Sequence, residues 1–305
     1  STAYSDRITW IENAYEFIDQ PGEWYLNRSE SKLYYKPDGS MDGKSATLPV
    51  TEQLLVFEGT ENITFDGVKF EDTSWLTPNE IGYNDAQSGT YAQHNGVWGD
   101  VPGAIETHAA KNITITNSEL RNLGIGGIRI GNGSSDCAIT NSAIHDISSS
   151  GIFIGNNTGH NHGYCDPGTD VTGVVVRNNY ITRTGLDIFG SSAICALYTS
   201  DTVIDHNEVC YTTYTGISLG WGWDWKNAPC SGNNTVSNNY IHDTGKTIHD
   251  GGSFYSLGLQ EGTKVFGNYL HHHSDGLYDK DGGLYTDEGS TGMELYNNVV
   301  GDGVY

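Results

Sequence analysis

One pattern recurs eight times along the chain: alternating apolar residues run up to an Asn, Gly or His pivot, and another apolar residue follows three positions later. The segments are ITFDGVKF, ITITNSEL, CAITNSAI, VVVRNNYI, TVIDHNEV, TVSNNYI, KVFGNYL and ELYNNVV. Their pivots are Gly67, Asn117, Asn141, Asn178, His206, Asn238, Gly267 and Asn297, spaced by 50, 24, 37, 28, 32, 29 and 30 residues. The first interval is wide enough to hold a long loop or a degenerate turn. Period-two alternation marks each run as a short strand with one buried face. Asn at the pivot tolerates left-handed backbone geometry and suits a bend between two strands.

A second short strand follows in most repeats: AIETH, GIRIG, GIFIG, AICAL, GISLG, SFYSLG and GLYTDE. Strands recurring at this period, with no helical segment between them, stack as coils of an all-β parallel β-helix in which each coil buries its apolar face only against its neighbours. A β-propeller would need about four strands in 40 or more residues per blade, and a sandwich would show hairpin turns at fixed spacing. Neither fits as well.

The first 60 residues have a different character, which divides the chain into an N-terminal segment, 1–60, and a solenoid, 61–305. Two apolar-aromatic runs, WYL and KLYYKP, flank the polar turn NRSES and predict a β-hairpin that packs beside or caps the solenoid. Before it, apolar Trp10, Ile11, Ala14 and Ile18 predict a short helix.

Charge narrows the partners. With 15 Lys+Arg against 38 Asp+Glu the formal charge is -23, a field that repels nucleic acid, anionic lipid and strongly anionic polymers but leaves neutral ligands unpenalised. No apolar run approaches the roughly 18 residues of a membrane-spanning helix, so a soluble, secreted protein whose export signal has been removed is expected. The five cysteines, Cys137, Cys165, Cys195, Cys210 and Cys230, match no zinc spacing. They read as buried thiols, with Cys210–Cys230 as the alternative disulfide.

Alignment of the second strands puts Glu106, His108, Arg129, Phe153, Ser218, Tyr255, Tyr285 and Asp287 on one outward parity, opposite inward Ile105, Ile128, Ile152, Ile217 and Leu284. A polar and aromatic column presented to solvent at about 4.8 Å per coil can follow an extended sugar polymer. Asp287, with Glu288 beside it, ends a strand and so has the rigid placement a catalytic carboxylate needs; the alternative is that Asp287–Ser290 is only a turn. Asp250 precedes the second strand of the preceding coil, and the two aspartates are expected about 5 to 9 Å apart, the range used by glycosidases. Asp250 also reads as the start of an Asp-Gly-Gly turn. Trp221, Trp223 and Trp225 alternate in GISLGWGWDW and offer either indole faces for stacking on sugar rings or cover for the β-helix flank.

His271, His272 and His273 form a run, with His242 and His249 upstream. Sequential histidines on a strand point to opposite faces, and no third ligand stands at a recognisable spacing. No metal or cofactor is expected, and His272 or His273 reads as a hydrogen-bonding residue at a sugar subsite.

The stretches PGEWYLNRSESKLYYKP, GGSFYSLGLQEGTKVFGNYLHH and GGLYTDEGSTGMELYNNVV together resemble the right-handed parallel β-helix glycoside hydrolases, most like glycoside hydrolase family 141 and more distantly family 120. The similarity runs from about Ile8 to the last residue. It implies that Asp287 in LYTDEGS and Asp250 in HDGGSFYSLG are the catalytic carboxylates of an enzyme acting on a plant or microbial polysaccharide, xylan- or fucose-containing glycans among them. Members of these families usually have further β-helix on both sides, so a fragment of a longer chain, or ends covered by other chains, is expected. Two other functions compete. A polysaccharide lyase on this fold would need a basic residue, with Arg129, Lys246 and Lys280 as the few candidates, and a non-catalytic β-helix would bind glycans or serve as a structural spike.

Overall fold

The computed structural model describes residues 13–92, 98–155, 168–222, 230–274 and 282–301. Two compact units are present, residues 1–47 and 48–305. In the smaller, the described part of the expected helix holds a 3-10 turn at Tyr15–Phe17, while Trp10 and Ile11 lie outside the described residues. Strands Trp24–Asn27 and Lys32–Tyr35 pair antiparallel as the expected hairpin, with Trp24 opposite Tyr35 and Asn27 opposite Lys32.

The larger unit is a right-handed parallel β-helix with three eight-stranded sheets, each ordered along the chain from coil to coil. A leading sheet carries the strands before the pivots, from Glu61–Asp66 to Thr291–Tyr296. A following sheet carries those after them, from Lys69–Thr73 to Val299–Val300. The third sheet, from Leu55–Glu58 to Gly282–Thr286, is built from the second strands and their equivalent in the first coil.

All eight pivots adopt the left-handed conformation, with φ between 49° and 70°. A second left-handed bend falls at the fourth residue of the following strands, at Asp72, Asn122, Asp146, Arg183, Tyr211, Asp243 and His272, with φ from 49° to 63°. Arg and Tyr resist this conformation, so register with the neighbouring coils overrides local preference there.

Parallel register, unshifted in the following and third sheets, turns each inward position there into a column of like residues. In the third sheet Leu55, Ile105, Ile128, Ile152, Ile194, Ile217, Phe254 and Leu284 stack in order. Phe70, Leu120, Ile144, Ile181, Val209, Ile241, Leu270 and Val300 do the same in the following sheet. Most of these side chains are fully buried in one continuous core.

The corner after each pivot would strand buried backbone groups; Ser118 and Ser142 hydroxyls accept in the early coils and a ladder of asparagines takes over in the later ones. The Asn179, Asn207, Asn239 and Asn268 amides donate to Oδ1 of Asn207, Asn239, Asn268 and Asn298 at 3.0, 3.0, 2.9 and 3.1 Å. Nδ2 of Asn207, Asn239, Asn268 and Asn298 in turn donates to the carbonyls of Val176, Ile204, Val236 and Val265 at 2.9–3.0 Å.

The long first interval between pivots does hold an insertion. Helix Thr77–Ile81 is followed by an antiparallel sheet of Asn84–Ala86, Thr90–Ala92 and Trp98–Asp100. This segment lies over the outward face of the third sheet as a cover. Ser88 Oγ is 3.3 Å from Ser218 Oγ, the Cys195 thiol donates to Ser88 O at 3.3 Å, and the Gly89 amide donates to Gly190 O at 3.3 Å.

Cys230 is disulfide-bonded, whereas Cys137, Cys195 and Cys210 are free and buried. The alternative Cys210–Cys230 bridge is therefore not formed, and the reading of the cysteines as thiols fails at Cys230.

Candidate active site

The outward residues of the third sheet stack in register as expected: Glu106 pairs with Arg129, Arg129 with Phe153, Cys195 with Ser218, Ser218 with Tyr255, and Tyr255 with Tyr285. They do not form the solvent-facing column that the alternation predicts. Glu106, Phe153, Ser218 and Tyr255 are buried: the inserted cover lies on Ser218 and Tyr255, Phe153 packs in an apolar cluster with Trp221, and Gln53 bonds Glu106.

Under one part of the cover is an ion cluster. Arg129 is bonded to Asp100 of the insertion, its Nε is 3.8 Å from Glu106 Oε1, and its guanidinium lies 5.2 Å from the Phe153 ring centre. Glu106 Oε2 accepts from Gln53 Nε2 at 2.8 Å and from the Gly103 amide at 3.2 Å, while His108 Nε2 is 3.2 Å from Oε1. Glu106, His108 and Arg129 face one another, and the Arg129–Asp100 pair fastens the cover. Four coils separate Arg129 from Tyr255, roughly 20 Å.

The aspartates belong to a different cluster at the later coils. Asp287 directly follows strand Gly282–Thr286, and its amide continues the ladder by donating to Ser256 O at 3.0 Å. It also opens a turn, with the Ser290 amide donating back to Asp287 O at 3.0 Å, so the residue is at once a strand end and the start of a turn. The Tyr255 hydroxyl donates to Asp287 Oδ2 at 2.6 Å. Asp250 sits one coil earlier, exposed, on a left-handed bend with φ 67°. The Tyr285 hydroxyl donates to Asp250 Oδ1 at 3.2 Å, and the rings of Tyr255 and Tyr285 meet edge to face at 5.4 Å. Gly251 lets this bend approach the Tyr214 ring: a Cβ there would lie 2.6 Å from Cε2. Glu288 is exposed at the corner of the turn; its carbonyl accepts from the Gly258 amide at 3.1 Å, and its carboxylate makes no hydrogen bond among the described residues.

Two residues that the sequence did not single out complete the cluster. Gln87 Nε2, from the cover, donates to Tyr214 OH at 2.7 Å and to Tyr255 OH at 3.2 Å. Tyr214 OH donates onward to the Asp250 carbonyl at 2.9 Å. With a lone pair of each phenol engaged by the amide, each hydroxyl hydrogen is left to point at an aspartate. Burial, more than any other influence, pushes the Tyr214 and Tyr255 hydroxyls well above the ordinary tyrosine range, and the hydrogen bond to Asp287 adds to the effect at Tyr255. The charges of both Asp250 and Asp287 also raise Tyr214, which puts the two carboxylates within electrostatic reach of one hydroxyl.

The remaining candidates lie elsewhere. Trp221 is buried in an apolar cluster with Phe153, Leu197, Tyr198, Cys230 and Leu257, against which Tyr285 packs. It covers the β-helix flank and presents no open indole face, in accord with the packing reading. Trp223 and Trp225 lie outside the described residues. His272 is exposed on the following sheet, its Nδ1 2.8 Å from His271 Nδ1, and makes no contact with the aspartate cluster. Among the lyase candidates, Arg129 is in the ion cluster and Lys246 pairs with Asp243 at 3.1 Å, while Lys280 lies outside the described residues.

Residues 103–300 match the family described as the right handed beta helix region. The chain belongs to this family. No curated protein matches the sequence. Among solved structures, this β-helix resembles a glycoside hydrolase, with a TM-score of 0.83 and 28% identity over 95% of this chain and 56% of that one. It also matches XylC in complex with xylose, with a TM-score of 0.48 and 13% identity over 95% of this chain and 55% of that one. An alginate lyase from Paenibacillus matches with a TM-score of 0.35 and 16% identity over 75% of this chain and 73% of that one. The β-helix thus spans a little over half the length of the first two.

Proposed function

We propose that this β-helix is the catalytic part of a glycoside hydrolase acting on a neutral polysaccharide, with Asp250 and Asp287 as its two carboxylates. The observation that carries this reading is the network in which each aspartate accepts a hydrogen bond from its own tyrosine, Tyr285 for Asp250 and Tyr255 for Asp287, while those two rings pack together. The likeness to a glycoside hydrolase over nearly the whole of this chain supports it.

Glycoside hydrolysis needs one carboxyl group to give a proton to the leaving oxygen and a second to attack the anomeric carbon or activate water. The short bond from Tyr255 fixes Asp287 Oδ2 as an acceptor, which suits the carboxylate partner. Asp250 is the more exposed of the pair and takes the role of acid. Tyr214 and Tyr255 keep their protons at any working pH, so they orient the aspartates and do not exchange protons with the sugar.

The test is reducing-sugar release by the purified protein from a panel of xylan- and fucose-containing polysaccharides. Asp250→Asn and Asp287→Asn are each expected to lower kcat by about 10²-fold or more with an unchanged far-UV spectrum. Full activity in both variants would remove the pair from the mechanism. An unsaturated product absorbing in the ultraviolet would show a lyase instead.

A further inference from the structure

A cluster on the following sheet stands apart from the aspartates. Glu208 and Cys210 lie on strand Glu208–Thr212, and His242 lies opposite Cys210 on the next coil, in strand Tyr240–Thr244. One ligand-type atom from each, a carboxylate oxygen, Sγ and an imidazole nitrogen, falls within 4.8 Å of the others. His242 Nε2 is 3.5 Å from Glu208 Oε1. Tetrahedral zinc bonded to S, N and O requires ligand separations of about 3.3–3.6 Å, so closing the cluster around an ion asks for at most about an ångström of movement.

The second coordination shell is present as well. His242 Nδ1 bonds Asp243 Oδ2 at 2.8 Å, and its ring stacks on Tyr240 at 4.3 Å and on His271 at 5.3 Å. His242 thus lies between two carboxylates, Asp243 at Nδ1 and Glu208 on the Nε2 side, and a carboxylate can only accept. A cation placed between Nε2 and the Glu208 carboxylate would be bonded by both.

An internal comparison shows what that cation replaces. Three coils earlier the same arrangement occurs: His145 bonds Asp146 Oδ2 at 2.7 Å and Glu119 Oε1 at 3.2 Å, and Arg121 occupies the place that Cys210 holds in the later set. There Glu119 meets Lys69 at 3.2 Å and Arg121 at 3.6 Å, so side-chain cations supply the positive charge. In the later set the arginine is exchanged for a thiol, and among the described residues Glu208 meets no Lys or Arg. Lys246 meets the outer carboxylate, Asp243, at 3.1 Å, while the position beside Glu208 and His242 carries a soft metal ligand in place of the arginine. A histidine run without a third ligand was all that the sequence offered; the register brings Cys210 and Glu208 to His242 from another coil.

We propose that Glu208, Cys210 and His242 bind Zn2+, with Asp243 as the positioning residue for the imidazole. On binding, a Zn–S bond forms as the S–H bond breaks and the proton leaves to solvent, while Glu208 and neutral His242 bind without proton loss. The ion joins two successive coils on a sheet other than the one that carries Asp287.

Protein freed of metal by a chelator is titrated with Co2+ and then with Zn2+. One equivalent of Co2+ is expected to give a thiolate-to-metal charge-transfer band that Zn2+ displaces, with about one proton released per Zn2+. Cys210→Ser should abolish the band. Glu208→Gln, on the exposed side of the cluster and harmless to the fold, should weaken Zn2+ binding about tenfold or more, and Asp243→Asn by about 10- to 100-fold at unchanged stoichiometry. Absence of a saturable band in the unsubstituted protein, or Zn2+ affinity unmoved in Glu208→Gln, overturns the site.

Discussion

The Tyr255 hydroxyl donates to Asp287 Oδ2 across 2.6 Å while its oxygen accepts from Gln87 Nε2 at 3.2 Å, so one buried phenol joins the cover to the carboxylate. Removing the hydroxyl separates orientation from packing, since Tyr255→Phe keeps the ring. A hydrogen bond to a charged group contributes about 1.5–3 kcal/mol, so kcat/KM should fall by about 10- to 100-fold, read on the polysaccharide that the unsubstituted protein cleaves. Activity equal to that of the unsubstituted protein would show that the bond does not orient Asp287 for chemistry.

Gln87→Leu removes the donor that both phenols share. Leaving two buried hydroxyl oxygens without their amide should lower unfolding stability by about 1–3 kcal/mol, seen as an earlier urea midpoint. An unmoved midpoint would mean that the cover is held without this contact.

Asn207→Ala cuts the interior ladder in both directions. The Asn179 amide loses its acceptor and the Val176 carbonyl its donor, at a site closed to water. A loss of roughly 3 kcal/mol is expected in equilibrium denaturation, larger than for Ala at any exposed Asn.

Asp205 sets an acid limit on stability. Burial opposes its charge, but hydrogen bonds from Ser237, Asn238 and His206, with the His206 charge, outweigh that and bring its carboxyl to about 2. A group held below its unfolded value stabilises the fold above that value, so this contribution is complete above about pH 4 and is lost as pH falls toward about 2. It amounts to roughly 2 kcal/mol. Asp205→Asn should flatten the fall in melting temperature across that interval; a profile parallel to that of the unsubstituted protein would refute the assignment.

The coil was legible because stacking imposes the same demand at every turn. Asn117, Asn141 and Asn178 recur where the backbone must bend left-handed, and Ile105, Ile128 and Ile152 recur where it must face inward. The interior ladder was also written in the sequence, as a second Asn directly after the pivot in VVVRNNYI and TVSNNYI, a signal that the pivots overshadowed. What could not be read was cover. Alternation tells which side of a strand a residue faces, and says nothing of what lies above that side, so Glu106 and Tyr255 were expected in solvent and are buried. Gln87 and Tyr214 escaped notice for the same reason: their partner in the site is set by tertiary placement and by no local pattern. Asp250 and Asp287 were picked out because their turn and strand-end positions are local.

The bond from Gln87 to Tyr255 spans 168 positions of the chain, from an insertion between the first two windings to one of the last. A growing chain presents the glutamine long before its partner exists. Local windings can form in succession as residues emerge, but this tie closes only after the distal ones are in place. Oriented phenols beside Asp287 are therefore a late product of folding, and a protein halted part-way would have a nearly finished scaffold and no working centre.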